Sequence, residues 1–157
     1  MKVSRILING FIIFIGIALF FALMEVLGLA DQVYLRLVNF VFVIYGVNRT
    51  IKQNYKDHID GYVTNISAAF FTAFASLVFS LISFLIYAQV QGGEAYIDKS
   101  VESFIFSGDP SLYQFAMGLF IEGVAASAIV SFALMQYWKD KVEKINKVDD
   151  TNHNNNA

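Results

Sequence analysis

The chain has 157 residues, 57% of them hydrophobic and 15% charged, with a formal net charge of −2 and a mean hydropathy of +0.56. A soluble domain carries about 25% charged and about 45–50% apolar residues, so this composition is suited to a membrane rather than to water. There is one Pro and no Cys, which excludes disulfides, thiolate nucleophiles, zinc–thiolate sites and dithiol redox chemistry.

From the N-terminus, a basic start, "KVSR", leads into an apolar stretch over residues 6–29. That is long enough for a membrane helix of about 20 residues. Gly28-Leu29-Ala30 before Asp31 resembles a small-x-small cleavage site. The apolar run, however, exceeds the roughly 7–15 residues of a secretory signal core, so a retained helix is expected. A second stretch, residues 33–47, is short and needs its flanks or a thinned bilayer to cross. Residues 62–90 and 113–138 form the third and fourth. These stretches have almost none of the polar face that a soluble helix presents to water.

Lys2 and Arg5 precede the first stretch. Arg49, Lys52 and Lys56 separate the second and third, and Lys139, Lys141, Lys144 and Lys147 follow the fourth. The opposite loops carry Lys99. Positive charge concentrates on the cytoplasmic side, so both termini are expected inside. Tyr137 and Trp138 beside Lys139 suit the inner aromatic belt.

In the loop between the third and fourth stretches, Ile97, Val101, Phe104 and Ile105 share one helical face, and Glu94, Asp98 and Glu102 another. This pattern predicts a short amphipathic helix on the outer membrane surface. Its acidic row reads as solvated rather than as a cation site. Asp109 and Pro110 predict the start of the fourth helix, as N-cap and first helical residue. The tail "DDTNHNNNA" is polar and low in complexity, so residues 148–157 are expected to be disordered after a single domain over residues 1–147.

Three ionisable residues interrupt the apolar stretches. If the first hairpin turns between Ala30 and Asp31, Glu25 and Arg36 each lie about five and a half positions from the turn, roughly 8 Å deep. Glu122 precedes Trp138 by 16 residues, about 24 Å above the inner interface and so in the same outer layer. Arg36 is expected within salt-bridge reach of Glu25 or Glu122, because intramembrane charges are expensive and pair. The leading reading is a structural staple fixing helix order. A proton or cation site, or snorkelling of one member, are the alternatives. The layer is near the surface, whereas transport sites lie near the midplane.

Small and polar residues repeat at helical spacing, as membrane helix packing requires. Asn39 and Gly46 share a stripe with Arg36. Ala69, Ala73, Ser76, Ser80, Ser83 and Tyr87 form a second, and Gly123, Ser127 and Ser131 a third. No apolar stretch holds a His. "KDHID", residues 56–60, is dense in ligand types but too small for a metal site by itself. There is no HExxH, P-loop or GxSxG, so no catalytic residue, cofactor or metal is expected. The basic residues favour anionic lipid headgroups and require no nucleic acid.

The segment "YGVNRTIKQNYKDHIDGYVTNISAAFFTAF", residues 45–74, with its short preceding hairpin, basic inner loop, acidic helical outer loop and basic end, resembles a family of small bacterial four-helix membrane proteins. That family is known as domain of unknown function four-one-nine-nine. The resemblance runs to about Lys147, implies a bacterial inner membrane and carries no activity. The expected fold is therefore all-α: a polytopic bundle of four transmembrane helices, both termini cytoplasmic. The expected role is non-enzymatic, an accessory or assembly subunit that self-associates or docks on a larger membrane complex. The alternative is a small proton- or cation-coupled transporter or channel using Glu122 and Glu25 beside Arg36.

Overall fold

The computed structural model describes residues 2–29, 32–101 and 111–142. Among these the chain is all-helical: α1 (Val3–Val26), a 3-10 helix (Val33–Val38), α2 (Asn39–Lys56), α3 (Tyr62–Val90), α4 (Glu94–Val101) and α5 (Leu112–Val142). Among the described residues three helices are long and apolar enough to cross a membrane: α1, α3 and α5.

The second expected span is different in kind. Residues 33–47 divide into the 3-10 helix and the first half of α2. The remainder of α2 carries Asn48, Arg49, Lys52, Gln53, Asn54 and Lys56, which keeps it from being apolar along its length. A 3-10 helix rises about 2.0 Å per residue against 1.5 Å for an α-helix. The six-residue 3-10 helix and the 18-residue α2 thus extend about 39 Å, against about 36 Å for the 24 residues of α1. The two elements together thus match the length of the neighbouring α1.

Side-chain pairs give the helix directions. Phe14 pairs with Phe79 and, further along both helices, Phe21 with Tyr87, so α1 and α3 are parallel. Phe74–Phe120 and Phe84–Phe115 run α5 antiparallel to α3. Gly46 opposite Ile13 and Gly16 opposite Phe42 run α2 antiparallel to α1. α2 and α3 touch each other and both outer helices, whereas α1 and α5 do not meet. The bundle is a rhombus with α2 and α3 on its short diagonal.

Three helix ends close in the same way. Beyond α1, the Leu29 and Gly28 N–H groups donate to the Met24 and Glu25 carbonyls. Ile59 and His58 donate to Asn54 and Tyr55 beyond α2, and Gly93 and Gly92 to Ala88 and Gln89 beyond α3. This is the Schellman pattern, which needs a left-handed residue just past the helix. Gly28 (φ 68°) and Gly92 (φ 115°) supply it without strain, and His58 supplies it at φ 54°. His is among the residues that tolerate this region, so the exposed His58 in "KDHID" serves the backbone. The start of α5 carries a cap of its own. Ser111 caps it, its Oγ accepting from the Gln114 N–H (3.4 Å) while Gln114 Oε1 accepts from the Ser111 N–H (2.9 Å), a reciprocal capping box.

Burial is inverted relative to a water-soluble protein. The interior holds Asn9, Thr50, Asn54, Asn65, Thr72, Ser76, Ser127 and Ser131. The outside is ribbed with Leu19, Val41, Val63, Ile86, Ile121 and Ile129, all more than half exposed. Such a surface is at home in lipid tails. One apolar core joins Ile13, Val47, Ile51, Ala69, Ala73, Val130, Met135 and Trp138. A second, at the far end, joins Ala88, Ile97, Leu112 and Phe115. Ile97 is fully buried there, so this part of the α4 apolar face is covered by protein rather than offered to a membrane surface. The expectations on Val101, Phe104 and Ile105, on Asp98 and Glu102, on the turn at Ala30 and Asp31, on Asp109 and Pro110 and on the tail lie outside the described residues or side chains.

Close approach of α1 and α3 depends on Gly10. A Cβ there would stand 2.9 Å from the Ala75 Cβ and 3.0 Å from the Thr72 carbonyl oxygen, whereas one on Gly118 of α5 would meet nothing within 4 Å. Ala is better than Gly in a helix by about 1 kcal/mol, but overpacking costs about 1–3 kcal/mol. Gly10→Ala should therefore lower the thermal midpoint in detergent, and Gly118→Ala should leave it unchanged or raise it.

Candidate functional site

Two polar regions stand out, one at each end of the bundle. The first begins where α1, α2 and α3 meet near the α2–α3 turn. Arg5 and Asn9 lie one turn apart on α1. Thr50 and Asn54 lie one turn apart on α2, and Asn65 and Thr72 seven residues apart on α3. These spacings put each pair on one helix face.

Proton accounting orders them into two chains. In the first, Arg5 Nη1 donates to Asn54 Oδ1 (2.6 Å), and Asn54 Nδ2 donates to Asn65 Oδ1 (3.1 Å). Asn65 Nδ2 then donates to the carbonyls of Ile59 and Gly61 (3.0 Å each). In the second, Asn9 Nδ2 donates to Thr50 Oγ1 and Gln53 Oε1 (2.9 Å each), and Thr72 Oγ1 donates to the Ala68 carbonyl (2.7 Å). The Thr50 and Thr72 hydroxyls lie 3.0 Å apart, and either can donate to the other, since Thr50 Oγ1 likewise reaches a carbonyl of its own helix, that of Gly46, at 3.2 Å. Both chains start on α1, pass through α2 and end on α3. A third bond, Trp138 Nε1 to Asn48 Oδ1 at 2.8 Å, ties α5 to α2. Trp138 is buried and Tyr137 exposed, so of the expected aromatic pair it is Tyr137 that faces outward.

Above this network, Asp57 Oδ2 accepts from Lys2 Nζ at 2.6 Å and also from Arg5 Nη2. The Lys2 bond first, then the Arg5 bond, holds the Asp57 carboxyl down at about 2. Lys2, Ser4, Arg5, Ile8, Asn9, Arg49, Gln53, Lys56 and Asp57 line an open cleft of about 370 Å³.

The second polar region lies at the other end and contains the three expected intramembrane charges. Glu25 is half-buried and accepts a hydrogen bond from the Tyr96 hydroxyl of α4. Arg36, half-buried in the 3-10 helix, lies in the electrostatic field of Glu122 and Tyr96. Among the described residues no ion pair joins Arg36 to Glu25 or Glu122; the ion pairs formed are Lys2–Asp57 and Arg5–Asp57 at the opposite end. Glu122 is exposed on α5. Tyr96 thus lies between Glu25 and Arg36, and Glu122 acts on Arg36, without the three charges forming a buried cluster. Tyr96 escapes a search for charges because it is neutral.

The packing stripes are placed as follows. Gly46 abuts Ile13, and Gly123 abuts Leu77. Ser76, Ser127 and Ser131 are buried. Ser76 and Ser127 donate to the carbonyls of Ala73 and Gly123, each at 2.7 Å. Asn39 Oδ1, Ser80 Oγ and Ser131 Oγ are buried without a hydrogen-bond partner among the described residues. Ser83 is exposed and not part of the packed face. Among the described residues no group of three His, Asp or Glu side chains converges as a metal site would require. The chain matches no family model, no curated protein and no solved structure, so the likeness to the bacterial four-helix family rests on the residues quoted for it.

Two tests follow from the network. Asn65→Asp is isosteric but replaces the amide that donates to two carbonyls with a carboxylate that repels them. It should cost about 3 kcal/mol in unfolding stability at about pH 8. The loss should shrink at about pH 5, where a protonated carboxyl donates again. The second test concerns Asp57. Its folded pKa is depressed, so its contribution is complete above about pH 4 and lost as pH falls through about 2. The difference in thermal midpoint between wild type and Asp57→Asn should be nearly constant from neutral pH down to about pH 4, shrink steadily towards about pH 2 and vanish below it.

Proposed function

We propose that this chain is a non-enzymatic accessory or assembly subunit of a bacterial inner membrane. In this reading the 3-10 helix and α2 together make a fourth crossing, and the end carrying Lys2, Arg5, Arg49, Lys52, Lys56, Lys139 and Lys141 faces the cytoplasm. The length of the combined segment supports the crossing, and the one-sided distribution of Lys and Arg supports the orientation. Membership of the four-helix family belongs to the same reading.

The observation that carries the role is Glu122. It is exposed on α5 between the exposed apolar side chains of Met117, Ile121 and Ile129. A carboxylate facing lipid costs about 2.5–3.5 kcal/mol on insertion scales, and such groups normally face protein. Its own bundle covers it only partly, with Arg36 nearby. A polar or basic side chain on a neighbouring transmembrane helix would complete its surroundings, which makes this edge of α5 a docking face. The tight fit of Gly10, Gly46 and Gly123 against α3 and α1 side chains favours a packed scaffold over a conduit.

The test has two arms. A cysteine replacing Asp57 should resist an impermeant thiol reagent in intact cells, and one replacing Gln91 should react; the reverse pattern overturns the orientation. A photo-crosslinking residue at Ile121 should trap a discrete protein adduct in native membranes, and one at Ile86 on the lipid-facing side of α3 should not. Glu122→Leu should abolish that adduct while keeping the thermal midpoint in detergent. An adduct insensitive to Glu122→Leu, or pH-driven ion flux in liposomes that Glu122→Leu removes, would overturn the accessory role.

A further inference from the structure

The cleft between the start of α1 and the end of α2 is a second candidate binding site, distinct from the α5 edge. Four cations line it, Lys2, Arg5, Arg49 and Lys56, against the single carboxylate of Asp57. Lys2 and Arg5 share that carboxylate. Arg49 and Lys56 are exposed and reach no carboxylate among the described residues. The first turn of α1 adds to the field. It has no acidic residue and no side-chain cap, so its free N–H groups carry uncompensated positive charge.

The floor of the cleft is preformed. Arg5 has a side-chain exposure of 13% and is held by Asn54 and Asp57. Asn9 is buried and fixed by Thr50 and Gln53.

The cleft also changes chemistry along its length. Ile8 lines it and is 58% exposed. Ile15 and Leu19 continue the same exposed flank of α1 away from the charged end. A ligand that fits must be anionic at one end and apolar at the other. We propose that this cleft binds the headgroup phosphate of an anionic phospholipid, with Arg49 and Lys56 on the phosphate oxygens and an acyl chain along Ile8, Ile15 and Leu19. The headgroup sits at the membrane interface in either orientation of the bundle, so the proposal stands or falls apart from the docking role of Glu122.

The experiment uses the full chain purified in an uncharged detergent. Phosphatidylglycerol, phosphatidylcholine, glycerol phosphate and inorganic phosphate are each added, and bound ligand is read by native mass spectrometry beside the thermal midpoint. Phosphatidylglycerol should be retained and should raise the midpoint; the other three should not. Each basic group near an anionic lipid surface is worth about one unit of interaction, so Arg49→Gln with Lys56→Gln should weaken phosphatidylglycerol binding by about thirtyfold. Lys139→Gln with Lys141→Gln, at the same end on α5, should not weaken it. Arg49→Lys with Lys56→Arg should retain it, which separates charge from folding. Equal retention of phosphatidylcholine, equal weakening by the α5 pair, or protection by glycerol phosphate or inorganic phosphate alone would each overturn the proposal. The wild-type lipid comparison decides the matter even if the Gln variant fails to fold.

Discussion

Everything in this bundle is arranged around two hydrogen-bond chains that pass through α2. Arg5 to Asn54 to Asn65 and Asn9 to Thr50 to Thr72 each begin with a donor from α1 and reach a side chain of α3, with α2 between them. A buried amide or hydroxyl without a partner costs about 1–3 kcal/mol. α2 therefore has one favourable place, between α1 and α3, and one favourable rotation about its axis. Apolar contacts alone are tolerant of small rotations; directional donors and acceptors are not. The chains account for why the least apolar of the long helices is one of the two central ones.

The two ends of the molecule then divide the remaining polarity. At the α2–α3 turn the chains run out into the basic cleft, and Asp57 gathers Lys2 and Arg5 above them. At the other end, α4 folds back so that Ile97 fills an apolar core and Tyr96 meets Glu25. Between the ends, glycines bring helix backbones together. The polar groups there bond to their own helix, as Ser76 and Ser127 do, or stay unpartnered, as Ser131 does.

The apolar helices α1, α3 and α5 were legible in composition alone, because long runs of Phe, Ile, Leu and Val leave no other reading. The second expected span, residues 33–47, was read as one short apolar helix; the chain instead forms a 3-10 helix and the first half of a polar-faced α2 there, and neither break in regularity shows in a run of apolar residues. Charge drew attention to Glu25, Arg36 and Glu122. The neutral Asn9, Thr50, Asn54, Asn65 and Thr72 passed unremarked, although Asn65 and Thr72 share the periodicity of Ala69, Ala73 and Ser76. Asparagine inside an apolar run is as strong a packing signal as a serine, and stronger when another helix offers a second one. The cap of α5 was also readable, as Ser111-x-x-Gln114, but Asp109 and Pro110 offered a competing local signal. His58 illustrates a third limit: a ligand-type residue chosen for the backbone angle it tolerates cannot be told from a ligand by its side chain.

The direction of the two chains also sets an order of events during synthesis. When α2 leaves the ribosome, Arg5 and Asn9 are already made and can satisfy the acceptors on Asn54 and Thr50. The Asn54 amide that α2 must still place has its partner 11 residues further on, and the Thr50 hydroxyl, within reach of the Gly46 carbonyl meanwhile, meets Thr72 22 residues further on. At about 5–20 residues per second those partners arrive within a few seconds. A nascent chain held beside the translocon for that interval need never expose the polar face of α2 to lipid. Biogenesis would then treat α1, α2 and the first half of α3 as one parcel, with α5 joining afterwards through Trp138 and Asn48.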